Sequence, residues 1–159
     1  MKRSLIVAMS FAVACAPAFA GELFNVGGLG KGTSQSSVVM VSEGHMLMNS
    51  ITTYQSFDSV DPKSPFNGMT GQCWGVIEIK VPSASGRGHC EFTDKSGDKN
   101  HNTWVATGLA KDGALQGSWT VIGGTGKYQN ATGGGKFLSL TDRKAGTFEN
   151  KVEGALFLK

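Results

Sequence analysis

An all-β domain, closed as a single eight-stranded antiparallel barrel, is the fold this chain predicts. Three observations carry it. Apolar residues recur at every second position in segment after segment, and no apolar 3,4 periodicity is sustained over about ten residues beyond the N-terminal segment. Short glycine-bearing turns separate the segments: Ser42-Glu43-Gly44, Lys111-Asp112-Gly113 and Lys144-Ala145-Gly146, with Asp94-Lys95-Ser96-Gly97-Asp98 slightly longer. Glycines also stand inside the alternating segments, at Gly75, Gly108, Gly117 and Gly154, where a missing side chain permits a sharp bend or close backbone approach. Strongly bent strands close into barrels.

The elements follow in order. Residues 1–20 read as an export signal: Lys2 and Arg3, an apolar run from Leu5 to Ala14, and Ala18-Phe19-Ala20 as cleavage site, with Gly21 as the mature N-terminus. The run is too short to span a bilayer. An alternative uses Cys15 for lipid attachment, although the position three before it is Ala12, where a larger aliphatic residue is usual. Residues 21–35, containing GGLGKGTSQ, read as a flexible lead-in, which leaves 36–159 as the barrel domain. Eight strands are predicted there: Ser36–Val41, His45–Tyr54, Cys73–Val81, His89–Thr93, Asn100–Ala110, Ala114–Val121, Gly135–Leu140 and Thr147–Leu158. The longest connection, Asp58 to Gly71, carries Pro62, Pro65 and Gly68 and reads as a surface loop crossing one barrel end or as a functional lid.

Charge and cysteine content bound the function. Without Lys2 and Arg3 the 15 basic residues fall to 13, against 12 acidic ones. No basic stripe with interleaved aromatics remains, so nucleic acid is not an expected partner. Cys73 and Cys90 are the cysteines left after the signal, and in an exported chain they are expected to pair. Closing their loop of 16 intervening residues stabilises by about 3 kcal/mol in the chain-entropy model. The alternative, a metal pair with His89, lacks two further ligands at suitable spacing.

The segment from Val121 to Gly133 carries a recognisable pattern. Val121-Ile122-Gly123-Gly124-Thr125-Gly126-Lys127-Tyr128, then Ala131 and Gly133, resembles the signature of the allene oxide cyclase and dirigent-type barrels and their bacterial exported relatives. The resemblance implies an eight-stranded, calycin-like antiparallel barrel with a hydrophobic cavity, and in plant members cyclase or radical-coupling activity, often as trimers. Read physically, Gly123, Gly124 and Gly126 form a tight structural turn over which Tyr128 packs, with Ala131 and Gly133 leaving it room. A phosphate loop is excluded, since the lysine is followed by Tyr128 and a strand, where that loop needs Ser or Thr and a helix.

Four side chains are candidates for binding a ligand: Trp74, Glu78, Trp104 and Trp119. The tryptophans either line a cavity or pack the core. Glu78 shares a face with Trp74 and Val76, opposite Ile77, Ile79 and Val81. The isoleucine face is the one expected inside, which leaves Glu78 solvated; pointing inward, it could serve as general acid or base. His45, His89 and His101 show no metal spacing, and Asp94-x-Ser96-Gly97-Asp98 lacks the glycine and glutamate of a calcium loop, so no metal and no cofactor is expected. The leading expectation is an exported barrel that binds a small apolar or amphipathic molecule. The alternatives are a cyclase or isomerase using an inward polar group, and an interaction protein with a filled barrel.

Overall fold

The computed structural model describes residues 21–159; the predicted signal segment 1–20, its cleavage site and Cys15 lie outside the described residues. The strands are β1 (Glu22–Asn25), β2 (Gly28–Ser42), β3 (His45–Ser59), β4 (Thr70–Lys80), β5 (Ser83–Thr93), β6 (Lys99–Leu109), β7 (Leu115–Gly124), β8 (Thr132–Asp142) and β9 (Thr147–Leu158). Consecutive strands from β2 to β9 pair antiparallel, and β9 returns to pair with β2, from Gly28↔Val152 to Thr33↔Thr147. The result is a closed eight-stranded antiparallel barrel, as predicted. The short β1 adds to the same edge of β9, further along, from Glu22↔Leu158 to Asn25↔Ala155.

Segment 21–35 is not a lead-in. It forms β1 and the closing half of β2, and Val26 between them is fully buried. The glycines that suggested flexibility serve close packing: a Cβ on Gly30 would strike the Tyr54 ring, and one on Gly32 the Thr53 carbonyl oxygen. β5 likewise begins at Ser83, not His89. Its Ser-Ala-Ser-Gly-Arg-Gly start carries little β propensity, and pairing with β4, from Lys80↔Ser83 to Gly75↔Gly88, imposes the strand.

The two barrel ends differ. At one end lie the tight turns β2–β3, β4–β5, β6–β7 and β8–β9. At the other, the 59–70 connection folds inward and plugs the opening. Phe66 and Met69 are buried there with Phe57, Trp119 and Tyr128, and the Phe57 and Phe66 rings meet edge-on at 6.1 Å. Gly68 N–H donates to the Phe57 carbonyl at 2.7 Å, and Val60 N–H to that of Gly27 at 2.8 Å, which tie the plug to the wall. Among the described residues no helix is long and apolar enough to cross a membrane.

Cys73 and Cys90 face each other across β4 and β5 and form a disulfide on the inner wall. Replacing both with Ala is expected to cost about 3 kcal/mol of unfolding free energy, read from urea melts of the variant beside the oxidised protein; an unchanged midpoint would contradict the cross-link's role.

Candidate functional site

The inward positions above the plug enclose a cavity of about 240 Å³ that opens at the tight-turn end. Its apolar wall comes from Met48, Ile77, Ile79, Leu115, Trp104 and Phe137, and its floor from Phe57, Phe66, Met69 and Trp119. The two tryptophans are placed by glycines on neighbouring strands. One register row runs Gly75, Gly88, Trp104, Trp119, Gly135, Gly154. A Cβ on Gly75 or Gly88 would lie within 2.3 or 2.5 Å of the Trp104 ring, and one on Gly154 within 2.7 Å of the Trp119 ring. Trp119 Nε1 donates to the Glu153 carbonyl at 3.2 Å, so its polar atom is satisfied at the wall and its carbon face is left to the floor.

Polar groups converge at mid-depth. Tyr54 is buried between Phe92 and Phe148, both edge-on, at 5.0 and 4.7 Å. Asn150 Nδ2 donates to its hydroxyl. Burial pushes the Tyr54 phenol up to about 12, with the Asn150 bond opposing, so it stays protonated and able to donate. Asn102 and Asn150 also line the cavity; they are 4% and 8% exposed, and the Oδ1 of each has no partner within the protein. Whichever way the Asn150 amide is turned, one of its polar atoms remains for a guest. Ser34, Ser36, Ser50 and Thr52 continue the polar strip toward the mouth, where Arg143 touches the thioether sulfurs of Met46 and Met48 at 3.7 and 3.9 Å.

Of the four predicted ligand contacts, Trp104 and Trp119 line the cavity, while Trp74 and Glu78 do not. Trp74 lies on the outer wall, 45% exposed, stacked on His89 at 6.3 Å. Glu78 is also outside, and its Oε1 meets His45 Nε2 at 2.7 Å. Ile77 and Ile79 are the buried face, as the strand's alternation indicated. The sequence reading missed Tyr54, Asn102, Asn150 and Arg143. The first three alternate correctly in their strands, but their polar neighbours disguised the inner face.

The GGTG segment belongs to the closed end and is structural. Gly123 and Gly126 take φ +125° and +52°, and a Cβ on Gly126 would strike the Asp98 carboxylate. A short 3-10 turn, Gly126–Tyr128, then buries Tyr128 completely. Its hydroxyl donates to Asp94 Oδ2 at 3.1 Å, which the Lys127 ammonium also meets. Asp94 Oδ1 accepts from Ser96 N–H, Ser96 Oγ and Asp98 N–H at 2.8, 2.7 and 3.1 Å. Both oxygens are occupied by these partners, and among the described residues no group of three or more His, Cys, Asp or Glu is placed to hold a metal.

No protein-family model matches the chain, and no curated protein sequence does. Among solved structures it is similar to a pterocarpan synthase dirigent protein, at 14% identity and TM-score 0.52, over 95% of this chain and 98% of that one. This likeness shows a dirigent-like barrel fold. The sequence resemblance is upheld to that extent.

Asp94 gives the closed end a pH dependence. Burial works to raise its carboxyl, but bonds from Lys127, Ser96 and Tyr128 outweigh it and hold the pKa at about 2, below the ordinary 3.8. A depressed carboxylate contributes stability that is full above its unfolded pKa and lost as pH falls through its folded one. Unfolding free energy is therefore expected to drop between roughly pH 5 and 2. In Asp94→Asn the protein should be weaker at neutral pH and lose less on acidification, as urea melts across that range would read. An equal acid loss in wild type and variant would contradict the assignment.

Proposed function

We propose that the protein is an exported binding barrel that holds one small amphipathic molecule bearing a hydroxyl group. The observation that carries this reading is the pair of buried amide oxygens, on Asn102 and Asn150, facing an apolar cavity with no partner in the protein. Burying an unpaired polar atom costs about 1–3 kcal/mol. Two such atoms lining the same cavity as a protonated phenol, with Asn150 bonded to that phenol, suit a guest that donates to an amide and accepts from Tyr54, which a hydroxyl does. At about 240 Å³ the cavity falls just short of drug-sized pockets, which begin near ~300 Å³. A single ring or a short branched chain fits that space. Export rests on the signal reading of residues 1–20 and on the Cys73–Cys90 disulfide, a bond that persists in oxidising compartments. The kinship with allene oxide cyclases is part of this proposal and rests on the GGTG segment alone.

An enzymatic reading has one foothold. With Glu78 outside, Tyr54 is the acid among the described residues that line the cavity, and a phenol held near 12 is a hydrogen-bond donor rather than a general base. Binding is the function this chemistry serves directly.

Native mass spectrometry of the protein purified from its own host should show a chain beginning at Gly21 with an added mass that denaturation removes. Asn102→Leu should carry a signature that a purely structural residue would not. It removes an unpaired buried acceptor, so the ligand-free protein gains about 1 kcal/mol while binding weakens about tenfold or more. Trp74→Ala and Glu78→Gln, on the outer wall, should leave binding unchanged. A clean apo mass together with an Asn102→Leu variant that loses stability would sink the reading.

A further inference from the structure

The barrel closes along only part of β2. β2 pairs with β9 from Gly28 to Thr33, and the last bond on that side is Ser34 N–H donating to the Gly146 carbonyl at 2.8 Å. Pairing with β3 continues to Ser42. From Gln35 to Ser42 the far edge of β2 has no strand beside it among the described residues. Peptide groups along a strand point to alternate edges. Because Ser34 points toward the β9 side, Ser36, Val38 and Met40 direct their N–H and C=O groups to the same open edge.

A bare sheet edge templates another strand, and folded proteins blunt such edges with charge, proline or a covering element. This one has none of these. Residues 32–42 read GTSQSSVVMVS, with no charged residue and no proline. Val38, Val39, Met40 and Val41 are 41, 64, 59 and 52% exposed, so both faces of the edge are apolar and open to solvent.

We propose that this edge pairs antiparallel with the same edge of a second copy of the chain, across a two-fold axis near Val38, so that two barrels share one continuous sheet. Three features select a second copy over a foreign strand. A two-fold pairing consumes both bare edges at once, whereas a foreign strand brings a further edge of its own. Centred on Val38, the pairing sets Ser36 opposite the partner's Met40 and Ser37 opposite the partner's Val39. That register keeps inner faces with inner faces and joins Val39, Val41 and the exposed Leu47 and Ile51 of β3 to their counterparts in one apolar strip. The same register brings the hairpin tip, with Glu43, beside the other copy's β8–β9 turn, which carries Lys144. Both residues are exposed, and neither is ion-paired within its own chain among the described residues. The assembly closes as a dimer and differs from the trimer that the sequence resemblance implies.

Sedimentation velocity with multi-angle light scattering tests this on protein expressed from the full-length sequence. Wild type should sediment with twice the chain mass at high micromolar concentration. Val38→Pro removes an open-edge N–H at a position where an edge strand tolerates proline, and should halve the mass. Val39→Lys keeps the backbone intact, sets like charges beside the axis, and should do the same; circular dichroism and melting confirm that both variants are folded. Glu43→Lys should weaken the dimer, and adding Lys144→Glu should restore it. A wild type of single-chain mass, a trimer, or a dimer that persists in both Val38→Pro and Val39→Lys would overturn the proposal.

Discussion

The barrel depends on a single strand that pairs twice along one edge. β9 is joined to β8 on one side over its whole length. On the other side it takes β2 along residues 147–152 and β1 along 155–158. Without that second pairing the sheet would be an open, twisted ribbon, and its concave face would hold no enclosed volume. With it, the alternation of each strand becomes inside against outside, and a slip of one residue would exchange the two sets. The cavity, its plugged floor and the apolar outer patches all follow from this closure.

The two ends then divide the work. At the closed end the GGTG turn, the Asp94 turn and the 59–70 plug meet around Tyr128, which is buried and bonded to Asp94. The glycines there allow backbone approaches that a Cβ would forbid: one on Gly124 would lie 2.0 Å from the Lys99 carbonyl oxygen. This end sets the floor and holds Trp119 against Phe66 at 5.9 Å. The open end has short turns, the Arg143 guanidinium resting on the Met46 and Met48 sulfurs, and side chains that give way easily, those two methionines included. Rigidity at the floor and adaptability at the mouth suit a site that admits a small guest and fixes one end of it.

Much of this was legible in the sequence. The period-two pattern, the glycine turns and the GGTG segment together indicated the barrel, and the β4 alternation placed Ile77 and Ile79 inside. What misled was local composition. Glycine in 21–35 looked like flexibility, but Gly30 and Gly32 are where β2 passes closest to Tyr54 and Thr53. Trp74 looked like a cavity residue because hydrophobic side chains usually point inward, yet this barrel has Ser50, Thr52 and Asn150 inside and Ile51, Trp74 and Val76 outside. The polarity of the inner wall reverses the ordinary rule on β3. One signal was present and readable in hindsight: Gly75 and Gly88 stand opposite Trp104 in register, and paired glycines beside an aromatic mark where a large ring lies against the wall. Tyr54 and the two asparagines had no such marker, because Tyr54 on β3 meets Asn150 on β9 only across the closure, and Asn102 enters the same cavity from β6.

The most direct test of the central claim is a high-resolution crystal structure of the protein isolated from its own host. The account predicts density for a small organic molecule in the cavity, with one polar atom within hydrogen-bond distance of Asn102 Oδ1 or Asn150 Oδ1 and of the Tyr54 hydroxyl. A cavity collapsed by repacked side chains, or one in which both amides turn to bond the barrel wall, would contradict it.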